Sequence, residues 1–133
     1  MTFNDEEDYI MRIIKEMVRV LFSLMLGKQY KSVELQEENK YEVSGKALEE
    51  FKKMIDEGFI NEAENILLES IDYTQKREVL AAILFYQYIS EKDIDFLEAH
   101  NYSKEEALDG IRRLAEKQGF GQISSLLMES GEP

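Results

Sequence analysis

The sequence predicts an all-α fold: a compact bundle of about six or seven helices with a long first helix and an antiparallel hairpin of short ones. Three observations carry this. Apolar residues recur at steps of three and four through most of the chain, and no segment alternates convincingly as a strand does. Two capping-box patterns, Asn4 with Glu7 and Ser103 with Glu106, mark helix starts. One proline and seven glycines in 133 residues leave few breaks.

The first helix is expected over residues 4–27. Asn4 is its N-cap, and Asp5, Glu6, Glu7 and Asp8 occupy the first turn, where the helix dipole favours negative charge. Ile10, Ile14, Met17, Leu21 and Leu24 line one side, and Ile13, Val20 and Leu26 widen the stripe. So wide a stripe suggests contacts on two sides. Either it is buried within one monomer, or part of it, drawn from Ile10, Ile13, Met17, Val20 and Leu24, forms a homodimer. Gly27 and Lys28 supply the stop.

Residues 29–44 lack periodicity and are expected to form a long, mobile connection, with Tyr30, Val33, Leu35 and Tyr41 able to pin it to the body. The helical body then spans 45–129, and the whole chain, 1–133, is expected to be one domain. Ser44 is expected to cap a second helix with apolar Ala47, Leu48, Phe51, Met54 and Ile55. Gly58 closes it, and Asn61 can cap a third helix carrying Ile60, Ala63, Ile66, Leu67 and Ile71. Asp72 or Thr74 starts a fourth, apolar nearly all round from Val79 to Ile89 and therefore central. Ser90 to Asp93 ends it and caps a short fifth helix with Ile94, Phe96, Leu97 and Ala99. Asn101 and Tyr102 turn the chain into the Ser103-capped helix, which Gly119 stops. Ile123, Leu126, Leu127 and Met128 suit a last short helix, and the terminal SGEP should fray.

Composition narrows function. With no cysteine, disulfides, thiolate metal sites and a cysteine nucleophile are excluded. The net charge of -12 lies mostly after Gly58 and disfavours nucleic acid and anionic membrane partners. It serves solubility or a basic protein partner. The acidic N-terminus resembles no export leader, and the most apolar run, Met17 to Leu26, is too short to span a bilayer and holds Arg19. The expected location is the cytoplasm.

No catalytic, cofactor-binding or metal-binding residue can be assigned. His100, the sole histidine, is paired in sequence with Glu98, two residues away and so on a different helix face. It reads as a helix-terminal residue. Gly119-Phe120-Gly121 follows a helix, where a dinucleotide fingerprint would follow a strand. Asp93, Asp95, Glu98, Glu105, Glu106 and Asp109 read as solvated helix faces. Phe85-Tyr86-Gln87-Tyr88 is chiefly core, with one tyrosine free to point into a groove. Glu62 and Asn65, three apart, can share an exposed face.

Residues 45–75 resemble a tetratricopeptide-type repeat, with Gly58 at the turn, Ala63 at the small packing position and Leu67 at the large apolar one. Phe51, Ser70 and Gln75 depart from that pattern. The whole chain resembles a family of small, uncharacterised bacterial helical proteins, through DYIMRIIKEMVRVL, DEGFINEAENILLE, FYQY and YSKEEALDGI. That resemblance implies no activity. The expected role is therefore a non-catalytic protein-interaction or scaffold domain, without cofactor, serving an unidentified protein partner or a second copy. Tyr86, Tyr88 and residues near Asn65 are its candidate groove, and a small-molecule-binding regulator is the alternative.

Overall fold

The computed structural model describes residues 3–27 and 41–123, with side chains from residue 8 onward in the first helix. Within them the order is α1 (Phe3–Leu26), β1 (Glu42–Val43), β2 (Lys46–Ala47), α2 (Leu48–Asp56), α3 (Ile60–Ser70), α4 (Lys76–Ser90), α5 (Ile94–Ala99) and α6 (Lys104–Lys117). The all-α expectation holds, with one small hairpin added.

α4 is the central helix. Val79 through Tyr86, and Ile89, are buried, and α1, α2, α6 and β1 pack against it. Its near-absence of polar residues is the sequence cause, since a helix apolar all round must be enclosed. α1 gives it Ile13, Ile14, Met17, Val18, Leu21, Phe22 and Met25, all buried. α2 contributes Leu48, Phe51 and Ile55, and the rings of Phe51 and Phe85 meet edge to face at 5.8 Å.

Three helices stop in the same way. After α2, Gly58 (φ +93) donates to the Ile55 carbonyl and Phe59 to that of Met54. After α5, Asn101 (φ +60) and Tyr102 donate to Glu98 and Leu97. After α6, Gly119 and Phe120 donate to Glu116 and Ala115. Each pair is a Schellman closure, in which a left-handed residue satisfies the last free carbonyls. Ser103 accepts from the Glu106 amide at 3.1 Å, so it caps α6 as expected, while the Glu106 carboxylate accepts from the Ser103 hydroxyl at 3.4 Å.

Other starts differ from expectation. α1 begins at Phe3, so Asn4 lies inside it. Ser44 is no cap: with φ +49 it joins Gly45 in the turn between β1 and β2, and α2 begins at Leu48. α4 begins at Lys76, preceded by a turn in which Thr74 donates to Asp72. Asn61 caps nothing: its amide donates to the carbonyls of His100 and Asn101, both at 3.3 Å. Tyr41 is buried and pinned as foreseen. Tyr30, Val33, Leu35, Leu126, Leu127 and Met128 lie outside the described residues.

The α2–α3 pair is antiparallel. Gly58 joins one end, while at the other the Ser44 hydroxyl, four residues ahead of α2, donates to the Ser70 carbonyl that ends α3. α3 lies at the edge of the bundle, which sets up the surface described next.

Candidate interaction surface

α3 turns one face inward. Ile60, Ala63 and Leu67 are fully buried, at the three- and four-residue spacing of a single stripe. Three polar ties hold it. Glu64 accepts from the Tyr86 hydroxyl of α4 at 2.8 Å and lies 3.9 Å from the Arg113 guanidinium of α6. Burial, and then the Glu64 carboxylate, push the Tyr86 hydroxyl well above its ordinary pKa, so it stays a donor. Asn61 ties the start of the helix to the α5–α6 turn, and Ser70 ties its end to Ser44.

The outward face is unusually apolar for an edge helix. Six large apolar side chains are exposed among the described residues, and three belong to α3 or the residue before it: Phe59 (50 %), Ile66 (38 %) and Leu68 (37 %). Glu62, Asn65 and Glu69 lie exposed between them. The run Ile66-Leu67-Leu68 is the sequence signal for this face. Consecutive helical residues diverge by about 100°, so only one of the three can point squarely into a core. Leu67 takes that place, and Ile66, expected inside, is exposed.

The expected site residues separate. Asn65 is exposed at the middle of the α3 face. Tyr86 is not a groove residue: it is buried, and its hydroxyl is spent on Glu64. Tyr88 is half-buried and donates to Asp56 at 2.7 Å, with the ammoniums of Lys52 and Lys92 each 4.9 Å from its ring centre. Burial works against the Asp56 carboxylate, but its bonds from Lys92 and Tyr88 outweigh that and hold it below the usual carboxylate range. On α1, Ile13 and Met17 are buried, Ile10 and Val20 half-buried, and Leu24 half exposed. The stripe is thus covered through its middle and emerges at Leu24.

A second feature lies between α1 and α6. Tyr9, Ile10, Ile13, Glu105, Leu108, Asp109 and Arg112 line an open groove of about 340 Å³, within which Arg112 donates to Asp109 at 3.0 Å. His100 is a packing residue. Its Nδ1 lies 2.8 Å from the Phe96 carbonyl, its ring stacks obliquely on Phe96, and its Nε2 edge meets Gly58, where a Cβ would stand 2.3 Å away. Among the described residues no group of acidic, histidine or cysteine side chains is arranged to hold a metal ion. No helix there is long and apolar enough to cross a membrane.

The chain belongs to a family of unknown function (DUF6483), whose model matches residues 4–119. No curated protein and no solved structure matches it.

Proposed function

We propose, from geometry and not from family membership, that the chain is a non-catalytic, cytoplasmic protein-interaction domain that docks its partner on the outer face of α3. The observation that supports this is the concentration of Phe59, Ile66 and Leu68 on one edge helix. Large apolar side chains left uncovered on one edge element are typical of protein contact sites, and here they flank Glu62, Asn65 and Glu69 on either side. The ties through Glu64, Asn61 and Ser70 fix the helix beforehand, which lowers the ordering cost of binding. Tyr86, Tyr88 and Lys104 are bonded to groups within the chain, as structural residues are.

Affinity capture from native lysate tests the reading, using the full chain beside an Ile66→Ser/Leu68→Ser variant of matched circular dichroism. Proteins retained by the first and lost by the second support it. Identical captured sets for both sink it.

Homodimerisation through α1 is a second reading, favoured by the exposure of Leu24 (50 %) and Leu26 at the end of the stripe. Sedimentation at low micromolar concentration should then show a dimer that Leu24→Glu dissociates. A persistent monomer ends that reading. A small-molecule regulator would instead use the α1–α6 groove, whose apolar floor and few polar groups suit a modest ligand.

A further inference from the structure

We propose that the occupant of the α3 face is a basic amphipathic helix of a partner protein. This rests on the interaction reading above and adds the chemistry of the partner. At about 100° per residue, Asn65, Glu69 and Glu62 fall within roughly 60° of one another, with Ile66 on one border and Leu68 on the other. Phe59, immediately before the helix, has non-helical backbone (φ -88, ψ 56) and adds a further exposed ring at the start of this element. The face therefore offers two apolar borders around a polar, acidic centre.

No Lys, Arg or His occurs in α3. Its third carboxylate, Glu64, turns inward to Tyr86 and Arg113. Glu62 and Glu69 are exposed, and neither has an ion-pair partner among the described residues. A partner whose cations reach Glu62 and Glu69 matches this centre. Lysine and arginine also carry apolar stems that can lie along Ile66 and Leu68 while their heads reach the carboxylates.

Charge argues against the other occupants. A second copy would bring another net charge of -12 and, across a two-fold, a second set of the same carboxylates. Like charges facing one another across an interface are costly and exclude such partners. An acidic partner meets the same repulsion.

The test uses synthetic peptides of about two heptads, with the full chain and fluorescence anisotropy as readout. One is an amphipathic Lys/Leu helix, one a Glu/Leu helix of the same pattern, and one a scrambled Lys/Leu sequence. The amphipathic basic peptide should bind one to one, more weakly as salt rises. Its affinity should fall by about tenfold or more for Ile66→Ser/Leu68→Ser and for Glu62→Gln/Glu69→Gln. A charge-matched control, Glu49→Gln/Glu98→Gln, should change it by less than about twofold. Equal loss in the control, or equal binding of the scrambled peptide, overturns the proposal, because attraction to net charge alone would then account for binding. If the Glu/Leu helix binds instead, or the chain self-associates through Ile66 and Leu68, the basic occupant is wrong while the interaction reading stands. Should no peptide and no second copy engage α3, both fall.

Discussion

A Cβ placed on Gly110 would stand 2.3 Å from Cε1 of Tyr86. Gly110 lies inside α6 and is buried, and the Tyr86 ring, itself buried, lies flush against it. Glycine in a helix interior ordinarily costs about 1 kcal/mol relative to alanine. Here the missing methyl is the space that lets α6 close on α4. Gly110→Ala should therefore destabilise the chain, by about 1–3 kcal/mol as overpacked cores do, despite the better helix propensity. Urea denaturation checks the sign, and a stabilised variant would show that the ring can move aside.

Two buried tyrosines near Glu64 should respond oppositely to loss of their hydroxyls. Tyr86 donates to Glu64, so Tyr86→Phe leaves a mostly covered carboxylate short of a donor and should cost about 1–2 kcal/mol. The Tyr102 hydroxyl is buried beside Glu64 but meets no partner in hydrogen-bonding geometry among the described residues. Tyr102→Phe removes an unsatisfied donor without opening a cavity, so stability should hold or rise by up to about 1 kcal/mol. The same denaturant midpoints decide between them. A marked loss in Tyr102→Phe would show that its hydroxyl is paired in solution.

Stability should fall at both extremes of pH, for separable reasons. The folded Tyr86 pKa is raised, first by burial and then by Glu64, while in the unfolded chain it is about 10. Its contribution is thus fully present below pH 10 and is lost as pH climbs past that value, when only the unfolded state can ionise. The stability gap between wild type and Tyr86→Phe should narrow steadily above about pH 10. Asp56 runs the other way. Its folded pKa is depressed, so its contribution is present above about pH 4 and disappears as pH falls through the folded value. Asp56→Asn should flatten the acid limb, and should touch the alkaline limb only through Tyr88 and Lys92, whose folded pKa values Asp56 helps to raise.

The helices were legible because their periodicity is local. α4 reads as central from composition, and the Ser103 cap and the stops at Gly58 and Gly119 follow from residue type and position. The hairpin at residues 42–47 escaped because two-residue strands cannot display alternation, although Ser44-Gly45 is a turn dipeptide. Asn61 has the chemistry of a cap but bonds to carbonyls 39 and 40 residues away, and no local pattern encodes that. Tyr86 reads as core in a run that is chiefly core, and only its alternative as a groove residue fails, because Gly110 on another helix makes the space that encloses its ring. On the α3 face Asn65 was identified from its spacing. Leu68 is legible in the Ile66-Leu67-Leu68 run, since a single core stripe takes only Leu67 from it.

Lys104 presents the sharpest test of packing against charge. It is the first residue of α6, where the helix dipole disfavours a cation, and it is only 7 % exposed. Its ammonium nevertheless donates to the Ser90 carbonyl at 2.5 Å and the Lys92 carbonyl at 2.7 Å, at the C-terminal end of α4. That end of a helix carries negative potential and free carbonyls, so the buried charge is matched by the helix it caps. Lys104→Met keeps most of the volume and removes the donors, which should cost about 2–3 kcal/mol, in the range for bonds to a charged group. If the dipole of α6 dominated instead, the same substitution would stabilise. Amide hydrogen exchange locates the effect: protection should drop at the end of α4, around Ser90 to Lys92, more than at the start of α6.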